Sequence, residues 1–203
     1  MRTKTLLFAA AGALMLLLAG CGGKILYSHY YTLEIIPPPA AEVHDARFNG
    51  TLAVRRFEIA PYLRQGGIAY RQSPEEVEFY DYHRWAASPS ETVTSAVIDA
   101  FRASGMFSVV KRYDGQNQQD YLLIGRLERL DEIDYGGSVQ VLAKVSAELA
   151  DLHSGITVWT GEANDTLKVE PRDVHAVVTT MSQAIQQTIA GLIARLDRQL
   201  AKN

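Results

Sequence analysis

Val139, Val141, Ala143, Val145, Ala147 and Leu149 fall on every second position, with Gln140, Lys144, Ser146 and Glu148 between them. Side chains of a strand alternate between faces, so this run can only be a strand with one dry and one wet side. Gly136-Gly137 precedes it and Ser154-Gly155 follows it. Short glycine turns of this kind join antiparallel neighbours. The flanking runs, Tyr121 to Ile133 and Ile156 to Val169, then complete a three-stranded antiparallel meander. A dry sheet face must be covered, and the sequence offers two covers.

The first cover starts at Ser88-Pro89-Ser90-Glu91, which has the order of a capping box with proline at the first helical position. Val93, Ala96, Val97, Ala100 and Phe101 follow at helical spacing, and Gly105 suits the residue just past the end. The second is long. Pro171 opens it, Asp173 suits its first-turn dipole, and an apolar stripe runs from Val174 through Met181, Ile185, Ile189 and Leu192 to Leu200. Gln183, Gln186, Gln187, Arg195 and Arg198 take the opposite side. The stripe packs on the meander, on a partner or on a lipid surface. The lipid option is the weakest, because membrane-lying helices carry densely basic polar faces.

Shorter strands are expected at Tyr30–Ile36, Thr51–Ile59 and Met106–Lys111, with Pro37-Pro38-Pro39 ending the first. Turns at Pro61–Gly67 and Ser73-Pro74 bracket an edge hairpin, Ile68–Arg71 with Val77–Tyr82. The fold class is α+β: an antiparallel sheet of seven or eight strands with two helices packed on one face, in a single domain.

The first twenty residues do not belong to that domain. Arg2 and Lys4 precede an uncharged stretch from Leu6 to Leu18, the length of a secretory core and short for a transmembrane anchor. The stretch ends Leu18-Ala19-Gly20-Cys21, which resembles a bacterial lipobox at all four positions. The resemblance implies cleavage after Gly20 and acylation of Cys21, with several acyl chains giving stable anchoring. Gly22 rather than Asp follows, which by the same resemblance sends the chain to the outer membrane, facing the periplasm. The expected organisation is 1–20 removed leader, 21–29 lipidated tether and 30–203 periplasmic domain.

Losing Arg2 and Lys4 takes the net charge from −3 to −5, so no basic face recruits nucleic acid. Cys21 is the only cysteine; once acylated it leaves no thiol for catalysis, zinc or a disulfide. The five histidines show no i, i+3 or i+4 pair on an expected helix, and there is no phosphate loop and no GxSxG elbow. Asp131, Glu132 and Asp134 cluster near a strand end and read as a solvated hairpin tip rather than a carboxylate pair for glycoside hydrolysis. No catalytic residue, metal site or cofactor is expected.

The densest unusual segment is Pro61 to Trp85, with Tyr62, Tyr70, Phe79, Tyr80, Tyr82 and Trp85 among Arg64, Arg71 and Arg84. These types are enriched at binding hot spots and also fit ordinary half-buried strands, and the two readings stand evenly. Lipobox, Tyr30-Tyr31-Thr32-Leu33, Pro61-Tyr62-Leu63, Ile68-Ala69-Tyr70-Arg71 and Glu78-Phe79-Tyr80-Asp81-Tyr82-His83-Arg84-Trp85, in that order, resemble the ABC-type transport auxiliary lipoprotein family. The resemblance implies a role beside an MCE-type lipid transport system. The chain would dock the periplasm-spanning MCE-domain protein at the outer membrane, with Tyr62, Tyr70, Arg71, Tyr80 and Trp85 as partner-contact candidates. It implies no ATPase activity of the chain itself. Phospholipid is a further possible partner, and so is a second copy of the chain. The competing readings are a periplasmic lipid carrier with its own acyl groove between sheet and helices, and an envelope hydrolase.

Overall fold

A computed structural model describes residues 26–37, 39, 46–116 and 119–200. The leader, Cys21 and the start of the tether lie outside the described residues. Nine strands form one sheet: β1 His29–Tyr31, β2 Phe48–Val54, β3 Glu58–Ile59, β4 Gly67–Arg71, β5 Glu78–Trp85, β6 Phe107–Arg112, β7 Tyr121–Ile133, β8 Gln140–Asp151 and β9 Ile156–Lys168. The two helices are α1, Pro89–Ser104, and α2, Val174–Leu200.

The meander is present. β7 pairs antiparallel with β8 along its whole length, and β8 with β9. Val141, Ala143, Val145 and Leu149 are buried, and α2 lies over β8 and β9. Gln183, Gln186, Gln187, Arg195 and Arg198 are exposed on its far side. The side chain of Asp173 accepts the Ala176 amide at 2.8 Å, so it caps α2. Among the described residues no helix is long and apolar enough to cross a membrane.

The class is α+β, but the sheet is mixed rather than wholly antiparallel. The second edge of β7 carries three short strands end to end, all parallel to it: β2 beside Tyr121–Leu123, β3 beside Arg126–Leu127 and β4 beside Glu132–Ile133. β6 is parallel to β2, and β1 to β5. Parallel neighbours need long crossovers, and α1 with its flanking segments supplies one between β2 and β6. Reading consecutive strands as hairpin partners misses this.

The break between β2 and β3 is filled from α1. The Phe57 amide donates to Thr94 Oγ1 at 2.9 Å, and the Phe57 carbonyl accepts from Ser90 Oγ. Both backbone groups are thereby satisfied off the ladder. The Phe57 ring lies where a side chain on residue 125 would stand, which is why β7 carries Gly125 there. The expected capping box forms only in backbone: Ser88 makes no side-chain cap bond, and Glu91 instead pairs with Arg112 at 2.7 Å. Gly105 does end α1 in the left-handed conformation.

Only His29–Tyr31 of the expected first strand joins the sheet. Beyond it the chain crosses α2, where the Glu34 amide donates to Ser182 Oγ at 3.1 Å and the Ile36 amide to Gln186 Oε1 at 3.2 Å. The Pro61 turn is a 3₁₀ helix, Pro61–Gln65, closed by left-handed Gly66.

Candidate functional site

The aromatic segment becomes one structure, the β4–β5 hairpin and its 3₁₀ approach, seated against the last turn of β7. Tyr70 stands opposite Glu78 on one side and Glu132 on the other. Arg71 is the next residue and points to the other face, as Asp131 does relative to Glu132. Two adjacent carboxylates of β7 therefore serve opposite faces of the sheet.

Asp131 is fully buried. Its Oδ1 accepts from the Tyr62 hydroxyl; its Oδ2 accepts from Arg71 Nε at 2.8 Å and from Arg129 Nε at 2.8 Å and Nη2 at 2.6 Å. The Arg71 guanidinium also lies 5.6 Å from the Tyr62 ring centroid and donates to the Pro74 carbonyl at 3.1 Å. A buried carboxylate needs such partners, since an unpaired charge there is costly. This cluster ties the 3₁₀ turn, β4 and β7 into one unit.

Glu132 is 4% exposed and accepts a hydrogen bond from the Tyr80 hydroxyl at 2.8 Å. Burial pushes its carboxyl above the ordinary range, and the nearby Asp134 adds to this against the lowering effect of Tyr80. The rings of Tyr70 and Tyr80 meet at 4.9 Å, and Tyr80 meets His83 edge-on at 5.6 Å. Burial and the Glu132 bond push the Tyr80 phenol well up. Interaction with Glu78 pushes Tyr70 up to about 12. Asp131 and Glu132 are thus not a solvated hairpin tip; the folded hairpin and the 3₁₀ turn cover both.

Folded Glu132 keeps its proton to higher pH than the unfolded chain does. Its contribution to stability is therefore fullest below the unfolded value near 4.5 and is lost as pH rises through the raised folded value. Glu132→Gln, neutral at every pH, should gain on the parent protein in urea unfolding midpoints as pH rises from below 4.5 through the raised folded value. An advantage that does not change with pH would show that Glu132 ionises normally in the fold.

Trp85 takes a different place. It is 7% exposed, packs in the core, and its amide donates to the Gly66 carbonyl at 2.8 Å. Of the five partner-contact candidates, the fold thus brings Tyr62 with Arg71 and Tyr70 with Tyr80, and turns Trp85 inward. The exposed aromatics among the described residues are others: Tyr27 at 74%, Tyr30 at 66% and Tyr82 at 41%. β1 brings Tyr30 beside Arg84, and the His29 ring stacks on His83 at 5.3 Å. His83 Nδ1 is 2.9 Å from the Tyr31 hydroxyl. The parallel β1–β5 pairing that gathers these residues has no local signal, because the paired residues stand 54 positions apart in the chain. His153 is exposed, with Nε2 2.7 Å from Asp120 Oδ1.

The fold recurs in solved structures. A Xanthomonas campestris protein aligns with a TM-score of 0.73 at 19% identity, covering 87% of this chain and 100% of its own. An uncharacterised protein aligns at 0.65 with 15% identity, over 84% and 99% of the two chains. A hypothetical protein of Chlamydia trachomatis aligns at 0.55 with 9% identity, over 77% and 100%. No curated protein matches the chain. Residues 31–192 match the ABC-type transport auxiliary lipoprotein component family, and the chain belongs to it. It is an auxiliary lipoprotein component of ABC-type transport, which is not a known enzyme family.

Proposed function

We propose that this chain is anchored to the outer membrane through acylated Cys21, faces the periplasm, and docks the MCE-domain protein of a lipid transporter that links the two membranes. The observation that carries the reading is the braced hairpin. Tyr70, Tyr80 and Tyr82 stand on a strand pair tied to β7 by Asp131 on one face and Glu132 on the other. Rigid aromatics lose little entropy on binding, so a locked hairpin is a good contact surface. Tyr62 and Arg71 act by holding the hairpin, and Trp85 by fixing its root in the core. Tyr30 and Tyr82 supply exposed contact area.

The tether supports the same arrangement. Residues 21–29 would span at most about 30 Å when extended, and they lead straight into β1, which lies against the hairpin. Anchoring through Cys21 then keeps the docking surface near the membrane. With residues 1–20 removed, residues 30–203 form the periplasmic domain.

The test is affinity purification from cells that carry an MCE-type transporter, after mild crosslinking. The MCE protein should be recovered, and the pair Tyr30→Ala with Tyr82→Ala should reduce recovery on the order of tenfold or more. Full recovery with the double variant, or none with the parent protein, contradicts docking through this surface.

A further inference from the structure

Among the described residues the sheet and the helices pack without the acyl groove that the lipid-carrier reading would place between them. That interface is filled by Val141, Val145, Met181, Ile185 and their neighbours, all buried. A cleft of about 440 Å³ opens elsewhere, between α1 and α2, with Ile35, Ile36, Pro37 and Pro39 along its rim. The apolar stripe of α2 is wider than the sheet requires, and its excess, Ile189 and Ile193, faces this cleft. From α1 the facing residues include Ala96, Ala100 and Ala103, too small to close the gap.

Two polar groups that line the cleft, the Gln186 side-chain oxygen and the Ser104 hydroxyl, are already engaged. Gln186 Oε1 accepts the Ile36 amide at 3.2 Å. Ser104 Oγ donates to the Phe101 carbonyl at 2.8 Å and accepts the Met106 amide at 3.3 Å. A peptide laid here would bring amides with no partners, at a desolvation cost. A hydrocarbon chain brings none. The cleft's volume lies at the lower end of small-ligand cavities, about 300–1,000 Å³, which suits one acyl chain rather than a pair.

One end of the cleft is charged. Asp197 lines it and is ion-paired with Arg47, both roughly half exposed. An exposed pair contributes little to stability and exchanges partners readily. A cation beside an anion matches, with signs reversed, the phosphate and ammonium of a zwitterionic headgroup, and arginine is suited to phosphate.

We propose that the α1–α2 cleft holds one acyl chain of a zwitterionic phospholipid taken from a bilayer, with its phosphate on Arg47 and its ammonium on Asp197. This goes beyond docking: the auxiliary protein itself handles lipid.

The full chain, produced with its leader, is reconstituted in vesicles of phosphatidylethanolamine and phosphatidylglycerol. The vesicles are doped with phosphatidylethanolamine bearing a diazirine in one acyl chain. Photolysis should label residues 96–106 and 189–194. Ala194→Trp, at an exposed position lining the cleft, should lower that labelling at least tenfold with an unchanged melting temperature. Arg47→Glu should lower it at least fivefold while leaving labelling by a diazirine fatty alcohol unaltered. Label confined to the anchor region, no label in the cleft, or equal labelling of the Ala194→Trp protein overturns the proposal. So does labelling by the fatty alcohol alone. Occupation by the chain's own acyl groups or by its own residues 40–45 would show as an unlabelled cleft. The assay contains no transporter, so its outcome and that of the docking experiment are independent.

Discussion

Asp131→Ala should lower the unfolding free energy by about 3–5 kcal/mol, the usual cost of leaving a buried ion pair without one partner. The carboxylate is completely buried, and the Arg71 side chain that it holds is only 12% exposed. Without it, Arg71 loses its counter-ion, Arg129 loses two bonds and the Tyr62 hydroxyl loses its acceptor. For a domain of this size that corresponds to a melting temperature lower by roughly 10 °C. Thermal melts followed by circular dichroism check it. A drop below about 1 kcal/mol, the range of a surface pair, would mean that Asp131 is open to water. Arg129 is 31% exposed and can turn to solvent, so most of the loss should trace to Arg71. Arg71→Ala in the Asp131→Ala background should then cost much less than in the parent protein.

Val141→Asp should have a larger effect: no folded protein at all. Val141 has no exposed surface and stands opposite Glu132 on β7 and Leu167 on β9. A carboxylate there is unpaired, surrounded by apolar side chains, and close to a second buried acid. The penalty exceeds the whole stability of an ordinary domain, about 5–15 kcal/mol, once charge burial and the lost methyl groups are combined. Leu192→Asp, at 1% exposure on the apolar stripe of α2, should behave alike from the other side of the same interface. Far-UV circular dichroism and sedimentation check both. A soluble, cooperatively melting Val141→Asp protein would mean that the wet and dry faces of β8 are exchanged.

The meander and both helices are legible in the sequence because their signals are local. Period-two alternation fixes the faces of β8, and helical spacing fixes the buried stripe of α2. The parallel half of the sheet is not legible. Whether β2, β3 and β4 pair with each other or line up along β7 depends on crossover geometry, and no residue type reports that. The site was half visible for the same reason. The family resemblance singles out Tyr62, Tyr70, Arg71, Tyr80 and Trp85, but whether each faces in or out follows from the register of β4 against β7. That register puts Tyr70 beside Glu132 and brings Arg71 to Asp131. Asp131 and Glu132 look like surface acids in one dimension because Tyr62, Arg71 and Tyr80, which cover them, lie 52 to 69 residues away. One signal is present: two adjacent acids, Asp131 and Glu132, stand between Leu130 and Ile133 in an apolar strand end, on a chain whose tyrosines concentrate in one other segment.

The central claim is that the braced hairpin and β1 form the surface that meets the MCE-domain protein. A photoreactive residue at Tyr82 tests it directly, with a matched one at Ile156, which is 62% exposed at the start of β9, a strand paired on one side only. In cells carrying both proteins, light should crosslink the MCE protein to position 82 and leave position 156 unlinked. Crosslinking from position 156 without any from position 82 would contradict the account.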